Sequence, residues 1–316
     1  MKKRLLVIAV LLMAAFVCIT VLNGMDTELS PSEPSGSGTA ATDTADIKPS
    51  SKGSPYKFYF ERLTPVEKRV YNAIIEKIYD MPERIAVPKI DGKELDNVFS
   101  ALLFDNPDLF FLGRKCAVET RMWLTYFSVD YIVDKADIAD MRERLDRECE
   151  AFEQTLTDPG NQWRTELEIH DHVIDRCEYH DPEGDLIYSS SYGALVDGRA
   201  ACEGYSKAVK LLLDRAGIEN ALISGVSENG EGSGGAHMWN IVNIGGDYYH
   251  LDCTWDDPVS DDGGKLRMYT YFNLSDEMIS GTHRDFSYDF VCNSTAENYY
   301  IKTGTYFESY SRSSES

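Results

Sequence analysis

The pattern that most constrains the fold is a pair of apolar segments joined by two glycines. Residues 237–244 and 248–255 are rich in aromatic and β-branched side chains and flank Gly245-Gly246, which predicts an antiparallel hairpin. An even-numbered loop centred on the glycines puts His237 and Asp252 on one face, one diagonal step apart. An odd-numbered loop would put them on opposite faces, so their pairing is a prediction about register.

A helix is predicted to begin at Cys202. The small-residue segment 198–204 leads into apolar positions at helical spacing, and Gly217 supplies a left-handed C-terminal cap. The positive end of the helix dipole and a nearby imidazolium both favour the thiolate over the free thiol, whose pKa is about 8.5. Cys202, His237 and Asp252 therefore offer the nucleophile, the base and the orienting carboxylate that thiol-based acyl transfer requires.

Together these segments resemble the transglutaminase-like superfamily, whose members share a papain-like Cys-His-Asp core. The resemblance spans roughly residues 163–290. The segments that carry it are 169–174, 192–198, 202–205, 236–240 and 251–258. A further segment, 271–276, is similar to the one that follows the core in bacterial surface members. It implies an α+β fold in which the helix of Cys202 packs on an antiparallel sheet bearing His237 and Asp252. It also implies that these three residues are the nucleophile, the base and its orienter.

The resemblance implies cleavage of peptide or carboxamide bonds in protein or cell-wall peptide through a Cys202 thioester, with no cofactor. The Cys202 N–H is expected to hold the oxyanion, with Tyr192 as a second donor and Trp239 as a wall of the cleft. Hydrolysis is expected over amine transfer, because the glycine-rich loop 230–235 indicates an open, wet rim. The alternative is a noncatalytic cell-surface module that binds protein or wall peptide in the same cleft, with Cys202 buried and slow to alkylate.

Composition limits the partners. A net charge of -22 and an isoelectric point near 4.6 disfavour nucleic acid and anionic lipid, which the chain would repel. With 316 residues and 43% hydrophobic content, the chain can bury one sizeable core and a smaller domain.

The N-terminal sequence predicts export from the cytoplasm. The basic residues 2–4 precede an apolar run over 5–22, which as a helix would be about 27 Å long. We expect an uncleaved membrane anchor within residues 1–25, with a cleaved signal peptide as the alternative. Residues 26–56, rich in Ser, Thr, Pro and Gly, predict a flexible, disordered linker that holds the folded part away from the membrane. The membrane is expected to be contacted through the N-terminal segment alone.

Residues 57–160 predict a leading mixed α/β region ahead of a transglutaminase-like domain over 161–316. Thr64, Pro65 and Glu67 form a helix start with a capping box. Further helices are expected over 93–104 and 138–156, and a strand over 122–133.

The cysteines predict buried free thiols rather than a disulfide framework. When Cys18 in the N-terminal segment and Cys202 are set aside, five cysteines remain, and an odd set cannot pair completely. Cys149 and Cys177 are expected in helices and Cys253 in a strand, which suits buried thiols. The remaining two are Cys116 and Cys292. No zinc-ligand spacing occurs, so no metal is expected. The acidic loop 256–264 predicts a solvated turn, with calcium binding as the alternative.

Overall fold

The computed structural model describes residues 47–228, 234–258, 267–286 and 290–294. The leading region contains α1 (Phe58–Glu61), α2 (Pro65–Ile75), β1 (Ile85–Val87), α3 (Gly92–Asp105), β2 (Leu112–Arg121), β3 (Leu124–Tyr131) and α4 (Ile138–Glu153). The part that follows contains α5 (Gln162–Arg176), β4 (Glu178–Tyr179), β5 (Arg199–Ala200), α6 (Cys202–Arg215), β6 (Asn220–Glu228), β7 (Gly234–Ile244), β8 (Asp247–Leu251), β9 (Phe272–Leu274), α7 (Asp276–Ile279) and β10 (His283–Arg284). Short 3₁₀ turns lie at 78–80 and 186–189, and a π-helical turn lies at 193–197.

The α+β fold is built on a five-stranded antiparallel sheet. Its strand order is β10-β6-β7-β8-β9, and α6 packs on β7, where Asn240 Nδ2 donates to the carbonyl of Ser206 at 3.0 Å. Ile244 pairs with Asp247 across Gly245-Gly246, and both glycines have positive φ, 64° and 94°, as a two-residue hairpin turn requires. The even-numbered loop predicted from the sequence is confirmed.

The leading region has its own three-stranded sheet, in the order β1-β3-β2. The capping box at Thr64 is confirmed, and α3 and α4 agree closely with the predicted helices. The predicted strand begins later than expected, at Leu124, because Met122 and Trp123 form the turn between β2 and β3. Strand β2 itself was not predicted.

The leading region and the following part share one hydrophobic core. Polar contacts also join them, since the Tyr59 hydroxyl donates to the carbonyl of Leu222 at 2.7 Å. The fully buried Lys210 ammonium lies 3.3 Å from both Ser54 Oγ and the Tyr56 carbonyl oxygen. Residues 47–56, the last part of the predicted linker, therefore lie against the folded body rather than apart from it.

The described cysteines are all buried and unbridged. Cys149 lies in α4, Cys177 caps the end of α5, and Cys253 lies in a turn beyond β8 rather than in a strand. The strand ends at Leu251 because the chain turns there, and Asp252 Oδ1 accepts the N–H groups of Thr254 and Trp255.

Within the ranges described above, no helix is long and apolar enough to cross a bilayer. Several sequence predictions concern residues outside those ranges. They are the export signal or anchor, the linker up to residue 46, most of the glycine-rich loop and most of the acidic loop.

Candidate active site

Cys202 is the first residue of α6, as its sequence pattern predicted. The preceding residue, Ala201, has an extended backbone and supplies no side-chain cap, so the first-turn N–H groups are directed at the space around the thiol. Gly204 allows this turn to pack closely, because a Cβ there would lie 2.6 Å from Ala200 Cβ and 2.8 Å from the Tyr188 carbonyl oxygen. The helix ends at Gly217, whose φ is 71°, with Ile218 N–H donating to the Leu213 carbonyl.

His237 and Asp252 form a buried ion pair. His237 Nε2 lies 2.7 Å from Asp252 Oδ2, and Asp252 Oδ1 accepts the N–H groups of Thr254 at 3.0 Å and Trp255 at 3.2 Å. Burial acts to lower the pKa of His237, but the charge and hydrogen bond of Asp252 outweigh it and raise that pKa to about 10. Burial acts to raise the pKa of Asp252, which the neighbouring histidines instead lower. Both shifts favour imidazolium beside carboxylate.

The Cys202 thiol lies beside the His237 imidazole, and its interactions with the ring are among the smaller causes that raise the pKa of His237. Since Nε2 is taken by Asp252, the ring nitrogen available to the thiol is Nδ1. A proton can therefore pass between sulfur and Nδ1 while Asp252 fixes the ring through Nε2. Cys202 is 8% exposed, against 6% for Cys116 and 0–3% for the other described cysteines.

A second histidine, absent from the sequence predictions, contacts the same carboxylate. His283 on β10 places Nε2 3.0 Å from Asp252 Oδ2, while its Nδ1 lies 2.9 Å from the Thr282 hydroxyl oxygen. Nε2 can therefore donate to Asp252 while Nδ1 accepts from Thr282. The ligand atoms of His237, Asp252 and His283 are close enough to surround a cation. Hydrogen bonds among the same three side chains already satisfy these atoms without one.

Trp239, predicted as a wall of the cleft, is instead fully buried behind His237. Its ring stacks on His237 with centroids 5.9 Å apart, and its indole N–H donates to His250 Nδ1 at 2.9 Å. His250 Nε2 in turn lies 3.0 Å from Asp276 Oδ1. Trp239 therefore does not form a wall of the cleft. Residues two apart on a strand point to the same face, so Trp239 lies on the inner face of β7 beside His237, where it packs against the imidazole ring instead of solvent.

Tyr192, predicted as an oxyanion donor, lies in different surroundings. Its buried ring stacks on Phe110 at 5.0 Å, and the Arg144 guanidinium lies over it. The charges that affect its pKa are those of Arg144, Asp197 and Asp140, after the larger effect of burial. None of these contacts involves Cys202, so they lend no support to Tyr192 as an oxyanion donor, which stays a prediction from the sequence.

Tyr179 is the tyrosine whose electrostatics involve the nucleophile. It is 53% exposed on β4, and it pairs with Ala200, two residues before Cys202. Burial of its phenol raises its pKa to about 12, with Cys202 and Asp181 contributing in the same direction. The phenol therefore keeps its proton at neutral pH and can donate a hydrogen bond near Cys202.

The leading region reaches the nucleophile through Arg114. Its Nη2 lies 2.6 Å from Oε2 of Glu203, the residue after Cys202, and 3.1 Å from Ser189 Oγ. Lys207 Nζ binds the other carboxylate oxygen of Glu203 at 2.8 Å. Burial acts to raise the pKa of Glu203, but Lys207 and Arg114 lower it. Glu203 is therefore held as an anion in the first turn of α6, where negative charge is stabilising.

The arrangement of Cys202, His237 and Asp252 is of the kind that thiol-based acyl transfer uses, and a known family model matches this part of the chain. Residues 150–253 match the model of the transglutaminase-like superfamily. The match includes Cys202, His237 and Asp252 and ends at the residue after Asp252. No curated protein matches the chain.

Solved structures with partial similarity include a TGase at 14% identity and a TM-score of 0.31, covering 54% of this chain and 50% of its own. A candidate cysteine protease from Cytophaga hutchinsonii shows 14% identity and a TM-score of 0.28, covering 46% of this chain and 56% of its own. A candidate protease from Parabacteroides distasonis shows 17% identity and a TM-score of 0.28, covering 50% of this chain and 34% of its own. The chain thus spans about half of the first two and a third of the last.

Proposed function

We propose that the protein is an extracytoplasmic cysteine enzyme that cleaves peptide or carboxamide bonds through a thioester on Cys202. The observation that carries this proposal is the linked set Cys202, His237 and Asp252, with the thiol on one side of the imidazole and the carboxylate 2.7 Å from the other. The extracytoplasmic location rests on the basic and apolar N-terminal sequence alone.

In the first half of the reaction, the Cys202 thiolate attacks the carbonyl carbon and forms a C–S bond. The negative charge moves to the carbonyl oxygen, to which the Cys202 N–H and the Tyr179 phenol would donate hydrogen bonds. His237 then gives its Nδ1 proton to the departing nitrogen as the C–N bond breaks, which leaves a thioester and a free amine.

In the second half, neutral His237 takes a proton from water as the water oxygen attacks the thioester. The C–S bond breaks, the acid is released, and the starting pair of Cys202 thiolate and protonated His237 is restored. An amine could replace water and give a new amide. We favour hydrolysis because water is the most abundant acceptor in an open cleft, although the acidic surface would enrich cationic amines at low salt.

The test of the proposed function is turnover on a peptide library, with Cys202→Ala as the inactive control. Products are analysed by mass spectrometry with and without a lysine-like amine at millimolar concentration. The proposal expects free acid as the main product and none from the control. Predominant amide that decreases with rising salt would replace hydrolysis by transamidation, and no turnover with an unreactive Cys202 would favour a noncatalytic peptide-binding module.

A further inference from the structure

Strand β4 leaves one of its edges open beside the nucleophile. Its parallel ladder with β5 uses the N–H of Glu178, which donates to the Gly198 carbonyl at 2.9 Å, and the N–H of His180, which donates to the Ala200 carbonyl at 2.8 Å. Successive main-chain groups of a strand point to opposite edges. The N–H and C=O of Tyr179 therefore point away from β5, and within the described ranges no main-chain hydrogen bond reaches them.

This edge lies close to Cys202. Tyr179 pairs with Ala200, and two residues of extended chain separate Ala200 from Cys202, a span of about 7 Å at about 3.3 Å per residue. A peptide on the outer edge of β4 would lie two strand spacings, about 9.5 Å, from β5, so about three or four extended residues would link its residue beside Tyr179 to the carbonyl at Cys202. The effect of Cys202 on the Tyr179 phenol shows that the two side chains share one electrostatic environment.

The surroundings of the edge are acidic. Four carboxylates are exposed within eight residues, those of Glu178, Asp181, Glu183 and Asp185. The basic side chain on the paired strand is Arg199, opposite Glu178. A peptide lying along β4 would therefore meet a negative potential, which favours lysine or arginine in its sequence and weakens as salt increases.

We infer that the acyl donor is an extended basic peptide whose main chain adds to the outer edge of β4 through the N–H and C=O of Tyr179. This inference rests on the proposed function, because it assigns the substrate of the Cys202 thioester. Main-chain pairing supplies affinity for extended peptides of varied sequence, whereas the acidic side chains select for positive charge. A folded helix or a small isolated carboxamide would not use this edge.

The main experiment uses acetyl-Ala-Lys-Ala chloromethyl ketone, whose carbon forms a thioether with Cys202 as chloride leaves. Copies N-methylated at one amide at a time remove one donor each, and iodoacetamide gives the reference rate for the thiol. Loss of one hydrogen bond worth about 1.4 kcal/mol slows labelling about tenfold. We expect this tenfold decrease in the labelling rate for the ketone that is N-methylated at one particular amide. Ketones N-methylated at the other amides should label Cys202 within about twofold of the rate of the parent ketone.

A matched pair of variants tests the protein side of the same contact. Tyr179→Ala and Tyr179→Pro both lack the phenol, but only Tyr179→Pro lacks the outward N–H. Because this N–H takes no part in the β4-β5 ladder, proline removes no ladder hydrogen bond. The peptide rate divided by the iodoacetamide rate should be about tenfold lower for Tyr179→Pro than for Tyr179→Ala. If Tyr179→Pro does not fold, the N-methylated series on the natural protein decides.

Charge is tested by replacing the lysine of the ketone with glutamate. We expect the glutamate ketone to label Cys202 more slowly than the lysine ketone. The difference between the two rates should decrease at high salt, and it should also decrease in the double variant Glu178→Gln/Glu183→Gln. Equal rates for the two ketones at low salt would overturn the preference for a basic peptide.

The two proposals fail in different ways. Rapid iodoacetamide labelling of Cys202, with all N-methylated ketones reacting like the parent, would overturn the edge and leave the enzyme intact. An unreactive Cys202 would overturn the enzyme, and the edge is then tested by titrating acetyl-Ala-Lys-Ala amide and its N-methylated copies into Cys202→Ala by NMR. Selective weakening by one N-methyl group supports the edge, and uniform binding or none contradicts it.

Discussion

His283 places its Nε2 3.0 Å from Asp252 Oδ2, the same oxygen that His237 contacts at 2.7 Å. A carboxylate that accepts from two imidazoles is fixed in orientation more firmly than one held by His237 alone. The second hydrogen bond also helps to keep Asp252 ionised, because His283 is among the groups that lower its pKa. His283 thus acts on the nucleophile through Asp252 and is a positioning residue.

We predict that His283→Ala slows alkylation of Cys202 about tenfold, the loss expected for one hydrogen bond to a charged group. His283→Gln places an amide N–H near the position of Nε2 and should recover part of the rate. An unchanged alkylation rate in a folded His283→Ala protein would remove His283 from this role.

The contact between Arg114 and Glu203 predicts that the leading region supports the nucleophile. Arg114→Met leaves the buried Glu203 carboxylate with Lys207 as its remaining basic partner, which should disturb the first turn of α6 and slow Cys202 alkylation. The double variant Arg114→Met/Glu203→Gln should lose less than the sum of the losses in the two single variants, because both single variants break the same contact. The control is Lys115→Met, an exposed neighbour, and an equal effect from it would contradict the assignment.

The Tyr179 phenol is predicted to stabilise the oxyanion. Tyr179→Phe should lower kcat for peptide cleavage by about 10²–10³, the usual cost of removing one oxyanion donor. Alkylation by iodoacetamide forms no oxyanion and should keep its rate. Tyr192→Phe, whose ring packs on Phe110, is the matched control and should retain kcat. Equal losses in the two variants would leave Tyr179 without a specific role in the chemistry.

The fully buried Glu166 predicts a pH dependence of stability. Burial raises its pKa to about 8 from a model-peptide value of 4.5, while Asn273 and His170 act in the opposite direction. Between pH 4.5 and 8 the folded state retains a proton that the unfolded state has lost, so stability decreases by up to about 1.4 kcal/mol per pH unit. Glu166→Gln should flatten this decrease in urea unfolding measured from pH 5 to 9. Glu150→Gln, on the surface of α4, is the control and should show the same decrease in stability with pH as the natural protein. If Glu166→Gln also shows that decrease unchanged, Glu166 is not its source.

Local patterns in the sequence were sufficient to predict much of the site. The start of α6 at Cys202 follows from helical periodicity and the cap at Gly217. The register that brings His237 and Asp252 together follows from the two-residue glycine turn. Both depend on residues close together in sequence, where turn geometry and periodicity leave few alternatives.

The residues that sequence reasoning missed are brought in by contacts between distant parts of the chain. His283 reaches Asp252 because the two-residue strand β10 pairs with β6, and Arg114 reaches Glu203 from the leading region. Neither has a local pattern that indicates its partner. The role of Tyr192 was predicted from its position near Cys202 in sequence, which does not fix the direction of its side chain; Tyr192 precedes the π-helical turn, and its ring packs on Phe110.

The reactivity of the Cys202 thiol tests the central claim most directly. Iodoacetamide is small enough for a residue that is 8% exposed, and Cys116, 6% exposed, is the internal control for access. Peptide mapping of the folded protein across pH 4–10 gives both rates, with His237→Ala expected to slow labelling of Cys202 by orders of magnitude. The account predicts that Cys202 labels far faster than Cys116 in the folded protein. Labelling of Cys202 no faster than that of Cys116, or only after unfolding, would contradict it.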